Sequence, residues 1–256
     1  MTSSTGTTRR TVLRRATAAA GALGVGLAGV PTAASAGQRE RIRVAVLLYD
    51  GFTALDAVGP YEALCRVPGV RVVTVGRKAG PVRTDTGQLA LGAERAMTDV
   101  PHADVLLIPG GGNRGTIATM NDPSVLAWVR RIHQHSTWTT SVCTGALVLG
   151  SAGLLRGVPA TTYWASRPYL AETFGAVVTP GRFVESGKII TAAGVSAGID
   201  LGLHLAARLS DDEVGRAMQL AIEYDPEPPF DTGSPEKADE ATRQLALKLV
   251  ADAAAP

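Results

Sequence analysis

Thr137-Trp138-Thr139-Thr140-Ser141-Val142-Cys143-Thr144-Gly145-Ala146-Leu147-Val148-Leu149 changes its period midway. Up to Val142 the run is crowded with β-branched residues, as strands are; from Cys143 onward the apolar residues follow helical spacing. The stretch predicts a strand over 137–142 running straight into a helix, with one cysteine at the junction. A turn this sharp exposes the side chain it carries, and the helix N-terminus directs free N–H groups and positive potential at it. Both favour a thiolate, the reactive form of cysteine. A buried core cysteine closing an apolar strand is the other reading the residues allow.

Working outward, short β-branched runs alternate with helical stretches. Residues 43–49 (RVAVLLY) read as a buried strand, 55–66 as an amphipathic helix and 70–76 as the second strand. Residues 82–93 predict a ribbon turning at Asp85-Thr86-Gly87, and 105–108 a third parallel strand ending in Pro109-Gly110-Gly111-Gly112. A helix over 124–133 leads back to the cysteine strand. Beyond it come a strand at 160–163, a helix at 165–174, and strands at 182–185 and 188–192 joined by a Ser186-Gly187 turn. Ser196 reads as the cap of a helix over 197–209, followed by helices at 211–222 and 236–251 with a proline-rich wrap, 225–235, between them. No internal repeat is present. This order predicts an α/β fold, a doubly wound, mostly parallel sheet with helices on both faces and ligands at the carboxyl ends of the strands.

Three features converge on that edge. Gly110, Gly111 and Gly112 end a neighbouring strand, where glycine lets backbone amides approach a ligand; Gly111 and Gly112 are the candidate substrate or oxyanion donors, and a tight turn is the plain alternative. Asp56 follows the first strand, either as a proton carrier or as a helix cap. Thr144 sets a hydroxyl beside the thiol or merely suits a first helical turn. The second cysteine, Cys65, lies on an apolar helix face as a small core hydrophobe, with a disulfide to Cys143 as the alternative. His133 and His135 read as solvated surface, and His204 as a satisfied helix residue.

The chain has 256 residues, enough for one sizeable domain. Its formal charge is +2, but residues 1–36 hold Arg9, Arg10, Arg14 and Arg15 and no acid. Without them 21 basic side chains face 23 acidic ones, so the remainder is weakly acidic. That balance carries no electrostatic footprint for nucleic acid, and no stretch after residue 36 is long and apolar enough to span a bilayer. A small-molecule partner fits better. The twin arginine before Thr11-Val12-Leu13, the Ala/Gly run after it and Ala34-Ser35-Ala36 before Gly37 read as a twin-arginine export signal over 1–36. The domain proper is then 37–256, exported to the periplasm or beyond, with no stable membrane association after processing.

Leu48-Tyr49-Asp50-Gly51-Phe52-Thr53-Ala54-Leu55-Asp56-Ala57-Val58-Gly59-Pro60, Ile108-Pro109-Gly110-Gly111 and Thr140-Ser141-Val142-Cys143-Thr144-Gly145 together resemble the ThiJ/PfpI superfamily. Within it they look most like the isonitrile hydratases. The likeness continues through Ala160-Thr161-Thr162 and Ala197-Gly198-Ile199-Asp200, and reaches Glu223-Tyr224-Asp225-Pro226-Glu227-Pro228-Pro229-Phe230 with Gly233-Ser234-Pro235. The resemblance implies a flavodoxin-like, class I glutamine amidotransferase-like fold with Cys143 on a nucleophile elbow. It implies a nucleophile at Cys143, an acid/base carboxyl at Asp56, a supporting hydroxyl at Thr144 and a homodimer. The implied reaction is hydration of an isonitrile to an N-substituted formamide through a thioimidate, with no metal or organic cofactor. Two departures stand out. Tyr163 replaces a histidine of many relatives, and Thr144 stands where the hydrolase and protease branches carry histidine. A glyoxalase-like or stress-protective enzyme and a ligand-sensing domain are the competing functions; the former usually carries a glutamate beside the thiol that Asp56 does not match.

Overall fold

The computed structural model describes residues 41–254. The export-signal reading of residues 1–36 lies outside them. The sheet starts with β1 (Ile42–Leu47), whose Val44 to Leu47 are sealed from solvent on both faces. That burial is why the sequence there runs apolar without alternation. α1 (Ala54–Leu64) returns the chain to β2 (Val70–Gly76), and a ribbon of β3 (Gly80–Arg83) and β4 (Ala90–Ala93) folds back around the expected turn. β5 (Arg95–Ala96) closes that edge, and β6 (Val105–Ile108) then enters on the other side of β1.

From β6 the chain runs through α2 (Asn113–Met120) and α3 (Pro123–His135) into β7 (Trp138–Val142) and α4 (Gly145–Ser151). A side pair, β8 (Pro159–Ala160) and β9 (Val177–Val178), brackets α5 (Arg167–Phe174). β10 (Phe183–Ser186) and β11 (Ile189–Ala192) follow, then α6 (Ala197–Leu209), α7 (Asp212–Ala221) and α8 (Glu240–Asp252). The seven-stranded sheet has the order β10-β11-β7-β6-β1-β2-β5, parallel except for the β10–β11 hairpin. This is the doubly wound, flavodoxin-like architecture. Thr139 bonds His133 of α3 while Val142, of opposite parity, meets Gly198 of α6, so helices cover both faces. The winding reverses between β1 and β6, where a ligand crevice is expected. Among the described residues no helix is long and apolar enough to cross a membrane.

Four local expectations change. α2 is an extra helix; its Asn, Gly and Thr residues are weak helix formers, so the sequence did not signal it. Of the strand expected at 160–163 only Ala160 is in a ladder, with Pro159 before it. Thr161 and Thr162 turn inward, the Thr161 amide donating to Thr191 Oγ1 at 2.8 Å. Ser196 does not cap α6 with its side chain; its hydroxyl takes a bond from Arg182. The last helix starts later, at Glu240, where Asp239 caps it by accepting from the Thr242 amide at 2.7 Å.

Candidate active site

Among the described residues Cys143 is one of two non-glycine residues with positive φ, at 55°. A left-handed conformation at a residue with a Cβ costs about 1–3 kcal/mol and persists only where its surroundings fix it. Here they fix both ends of the residue. The Cys143 amide donates to the carbonyls of Ala192 and Ala193, at 3.1 and 2.8 Å, and its carbonyl accepts the Thr162 hydroxyl at 2.7 Å. α4 starts directly against β6: a Cβ on Gly145 would stand 2.2 Å from the Ile108 carbonyl oxygen. The elbow is thereby clamped between β6, β11 and the 161–162 segment.

Asp56 lies in the first turn of α1 and is wholly buried. It does not cap its own helix, which has Thr53 at the N-cap. Its Oδ2 instead accepts the Gly110 amide at 2.8 Å, from the end of β6. Oδ1 is buried without an aligned hydrogen-bond partner among the described residues. Burial pushes the Asp56 carboxyl up to about 7; the Gly110 amide opposes this, the Asp85 charge adds to it, and the nearby Cys143 thiol opposes it.

The thiol itself departs from the expectation of a lowered pKa. Burial pushes Cys143 well above the ordinary thiol range, and the Asp56 charge adds to the effect. The Thr144 and Val195 amides and the Thr144 hydroxyl pull the other way. Desolvation outweighs the local dipole at a side chain only 6% exposed, so the resting form is the thiol. Cys143 and Cys65 are both free, which removes the disulfide alternative.

Gly111 and Gly112, the expected donors to a substrate, donate inside the protein. The Gly111 amide goes to Thr144 Oγ1 at 2.9 Å and the Gly112 amide to the Gly51 carbonyl at 3.0 Å. With Gly110 on Asp56, three successive amides orient the surroundings of the sulfur. The structure thus brings Cys143, Asp56, Thr144 and the glycine turn to one edge. Tyr163 sits half-buried beside Trp164, ring centroids 5.6 Å apart, and close enough to Cys143 for that group to raise its pKa after burial has done so. His133 is not solvated surface: its Nδ1 pairs with Thr139 Oγ1 at 2.9 Å, and burial with the Lys188 charge lowers its pKa. His204 is satisfied by Glu185 at 2.6 Å.

Tyr49, Thr116 and Val195 border the site without having been singled out from the sequence. Val195 contributes a backbone amide, which no residue type announces. Thr116 comes from the unforeseen α2, and Tyr49 reads simply as the end of an apolar strand. The Tyr49 hydroxyl donates to the Pro109 carbonyl at 3.0 Å.

The chain is 40% identical over 210 residues to the isonitrile hydratase of Pseudomonas putida, covering 82% of this chain and 90% of that one. It is 30% identical over 185 residues to a helix-turn-helix-type transcriptional regulator, CdhR, of Pseudomonas aeruginosa; that alignment covers 70% of this chain and 53% of the regulator, about half its length. A crystal structure of a ThiJ/PfpI family protein from Pseudomonas syringae superimposes with a TM-score of 0.78 at 36% identity, covering 93% of this chain and 95% of that one. The pattern of the DJ-1/PfpI family matches residues 42–208, from β1 into α6, and takes in the aspartate, the glycine turn and the cysteine elbow. By that match, and by a relative 40% identical over most of its length, the chain belongs to the DJ-1/PfpI family.

Proposed function

We propose that the chain adds water to an isonitrile, R–N≡C, to give an N-substituted formamide, with Cys143 as nucleophile and Asp56 as proton carrier. The observation that carries this reading is a wholly buried carboxyl, pushed up to about 7, beside a thiol on an elbow. Its setting, 40% identity to an isonitrile hydratase, supports it. The thiol proton passes to Asp56 as sulfur bonds to the terminal carbon, and Asp56 returns it to that carbon, leaving a thioimidate, R–N=CH–S–Cys143. Asp56, again a carboxylate, takes a proton from water while the water oxygen bonds to the same carbon. Asp56 gives that proton to the nitrogen, the C–S bond breaks as the carbonyl forms, the remaining hydroxyl proton passes to sulfur, and R–NH–CHO leaves with the thiol restored. A carboxyl titrating near 7 suits both halves, because it must give and take a proton at the same pH. The Thr144 and Val195 amides hold the sulfur's charge while the C–S bond is absent.

The test is an assay of purified protein with cyclohexyl and aryl isonitriles in ¹⁸O water, scored by mass for labelled formamide, with methylglyoxal as the competing substrate. Absence of formamide while Cys143 still reacts with iodoacetamide rejects hydration. The transcriptional-regulator relative favours a second reading, ligand capture without chemistry. Stoichiometric isonitrile binding with no product would assign it.

We also propose that the protein works outside the cytoplasm, as a homodimer, after removal of residues 1–36. The twin arginine, Arg9-Arg10, supports the location. The family resemblance supports the dimer. Changing both arginines to lysine should hold the full-length chain in the cytoplasm of its host; unchanged export overturns the assignment.

A further inference from the structure

The Gly111 carbonyl is shared by two hydroxyls. Thr144 Oγ1 stands 3.1 Å from it and Thr116 Oγ1 3.0 Å, and the two hydroxyl oxygens are 3.2 Å apart. Each hydroxyl has one proton to donate and two lone pairs. Thr144 Oγ1 already accepts the Gly111 amide at 2.9 Å, so its orientation is held while its proton is free to choose. The Gly111 carbonyl and the Thr116 oxygen are within hydrogen-bonding distance, and the sulfur of the adjacent Cys143 is near enough for this hydroxyl to lower its pKa. The Gly111 carbonyl is partly buried, and a donor from either hydroxyl satisfies it. Whichever threonine serves it decides what the other is free to do.

We propose that Thr116 is a positioning residue for the nucleophile: by donating to the Gly111 carbonyl it releases the single proton of Thr144 to Cys143 Sγ. When the sulfur is a neutral thiol, Thr144 donates to the carbonyl. When sulfur carries negative charge, before attack or as the C–S bond breaks, Thr116 takes the carbonyl and Thr144 turns to the sulfur. No covalent bond changes and no proton leaves its oxygen; two hydroxyl rotors exchange partners. Thr116 is suited to the part because it is buried on α2, so solvent does not compete for its proton. Tyr49, also buried, donates its own proton to Pro109 and lies beside Thr116, so its oxygen is a further acceptor for the Thr116 proton while Thr144 serves the carbonyl. Removing the Thr116 hydroxyl obliges Thr144 to stay on the carbonyl, and the thiolate loses a donor.

The test follows thiol ionisation in the full-length protein carrying Cys65→Ala, so that Cys143 alone reacts. The rate of iodoacetamide alkylation is measured from pH 7 to 10. Below the thiol pKa this rate tracks the thiolate fraction, so a rise of half to one pH unit slows it about threefold to tenfold. Thr116→Val and Thr116→Ala should both show that slowing, and Thr116→Ser, which keeps the hydroxyl, should not. Thr144→Val should slow alkylation similarly. The double variant Thr116→Val with Thr144→Val should be no slower than Thr144→Val alone, because Thr116 acts only through Thr144. A structural role for Thr116 would move the melting temperature and leave the pH profile in place. Equal profiles for Val, Ala and Ser at 116, or slowing that adds in the double variant, overturns the proposal. Should Thr116→Val not fold, the Ala and Ser pair decides. Alkylation needs no isonitrile, so this outcome is independent of the hydration reading. If that reading holds, Thr116→Val should also lower kcat with KM unchanged.

Discussion

The Gly110 amide donates to Oδ2 of Asp56 at 2.8 Å, tying the first turn of α1 to the end of β6 across 54 residues of chain. Its effect is to divide the labour between two oxygens of one carboxyl. Oδ2 is anchored, while the buried Oδ1, without an aligned partner among the described residues, is left to carry a proton. Asp56→Asn should therefore keep the Gly110 anchor through the amide oxygen and lose the proton carrier. We expect at least about a hundredfold loss of turnover, the size typical of removing a general acid/base. Near-normal turnover by this variant would falsify Asp56 as proton carrier.

The same carboxyl makes stability depend on pH. Its ordinary value is 3.8 and its folded value about 7, so between them the folded state keeps a proton that the unfolded chain releases. Stability from this group is full below the unfolded value and is lost as pH rises toward 7. The difference is on the order of a few kcal/mol for a group buried this completely. Urea denaturation at pH 4.5 and pH 8 should show Asp56→Asn gaining on the native chain at the higher pH. An equal difference at both values overturns the assignment.

The elbow makes its own prediction. Cys143→Ala and Cys143→Ser should both be inactive, the second because a hydroxyl ionises far less readily than a thiol. Cys65→Ala should keep turnover, and intact mass after alkylation of unfolded protein should show two free thiols. Because φ at 143 is 55°, Cys143→Gly should unfold about 1 kcal/mol later than Cys143→Ala. The reverse order would mean that residue 143 is not held in the left-handed region.

At Gly110 the site leaves no room for a side chain. A Cβ there would stand 2.6 Å from the Thr144 amide nitrogen, 2.7 Å from Thr144 Oγ1 and 2.8 Å from Asp56 Oδ2. Gly110→Ala should separate Asp56 from Cys143, abolish turnover and cost about 1–3 kcal/mol of stability, as overpacking does. Gly233→Ala meets nothing within 4 Å among the described residues and serves as the control.

Much of this was legible in the sequence. The change of period at Cys143, the sealed apolar run of β1 and the glycine turn after β6 are local patterns, and local patterns set strands, turns and their order. They placed Asp56, Gly110 and Cys143 at the carboxyl edge of one parallel sheet. The wound topology leaves those strand ends side by side. The helix following the glycine turn escaped notice because its Asn113, Gly115, Thr116 and Thr119 carry weak helical preference; Gly115 packing on Gly51 and Thr116 meeting Thr144 hold it instead.

Three decisions belonged to the tertiary structure. The sequence argued for a lowered cysteine pKa from the helix start, a local effect; burial and the Asp56 charge, 87 positions away in the chain, reverse it. The amides of Gly111 and Gly112 turned inward to Thr144 and Gly51, while the Val195 amide came to the sulfur. A backbone N–H is the same at every residue but proline, so composition does not reveal which will face a ligand. Sequence by itself determined which chemistry-bearing side chains exist and at which end of which strand they lie. Folding decided how dry they are and what stands next to them, and desolvation, which depends on everything packed around a group, sets whether its proton stays or leaves.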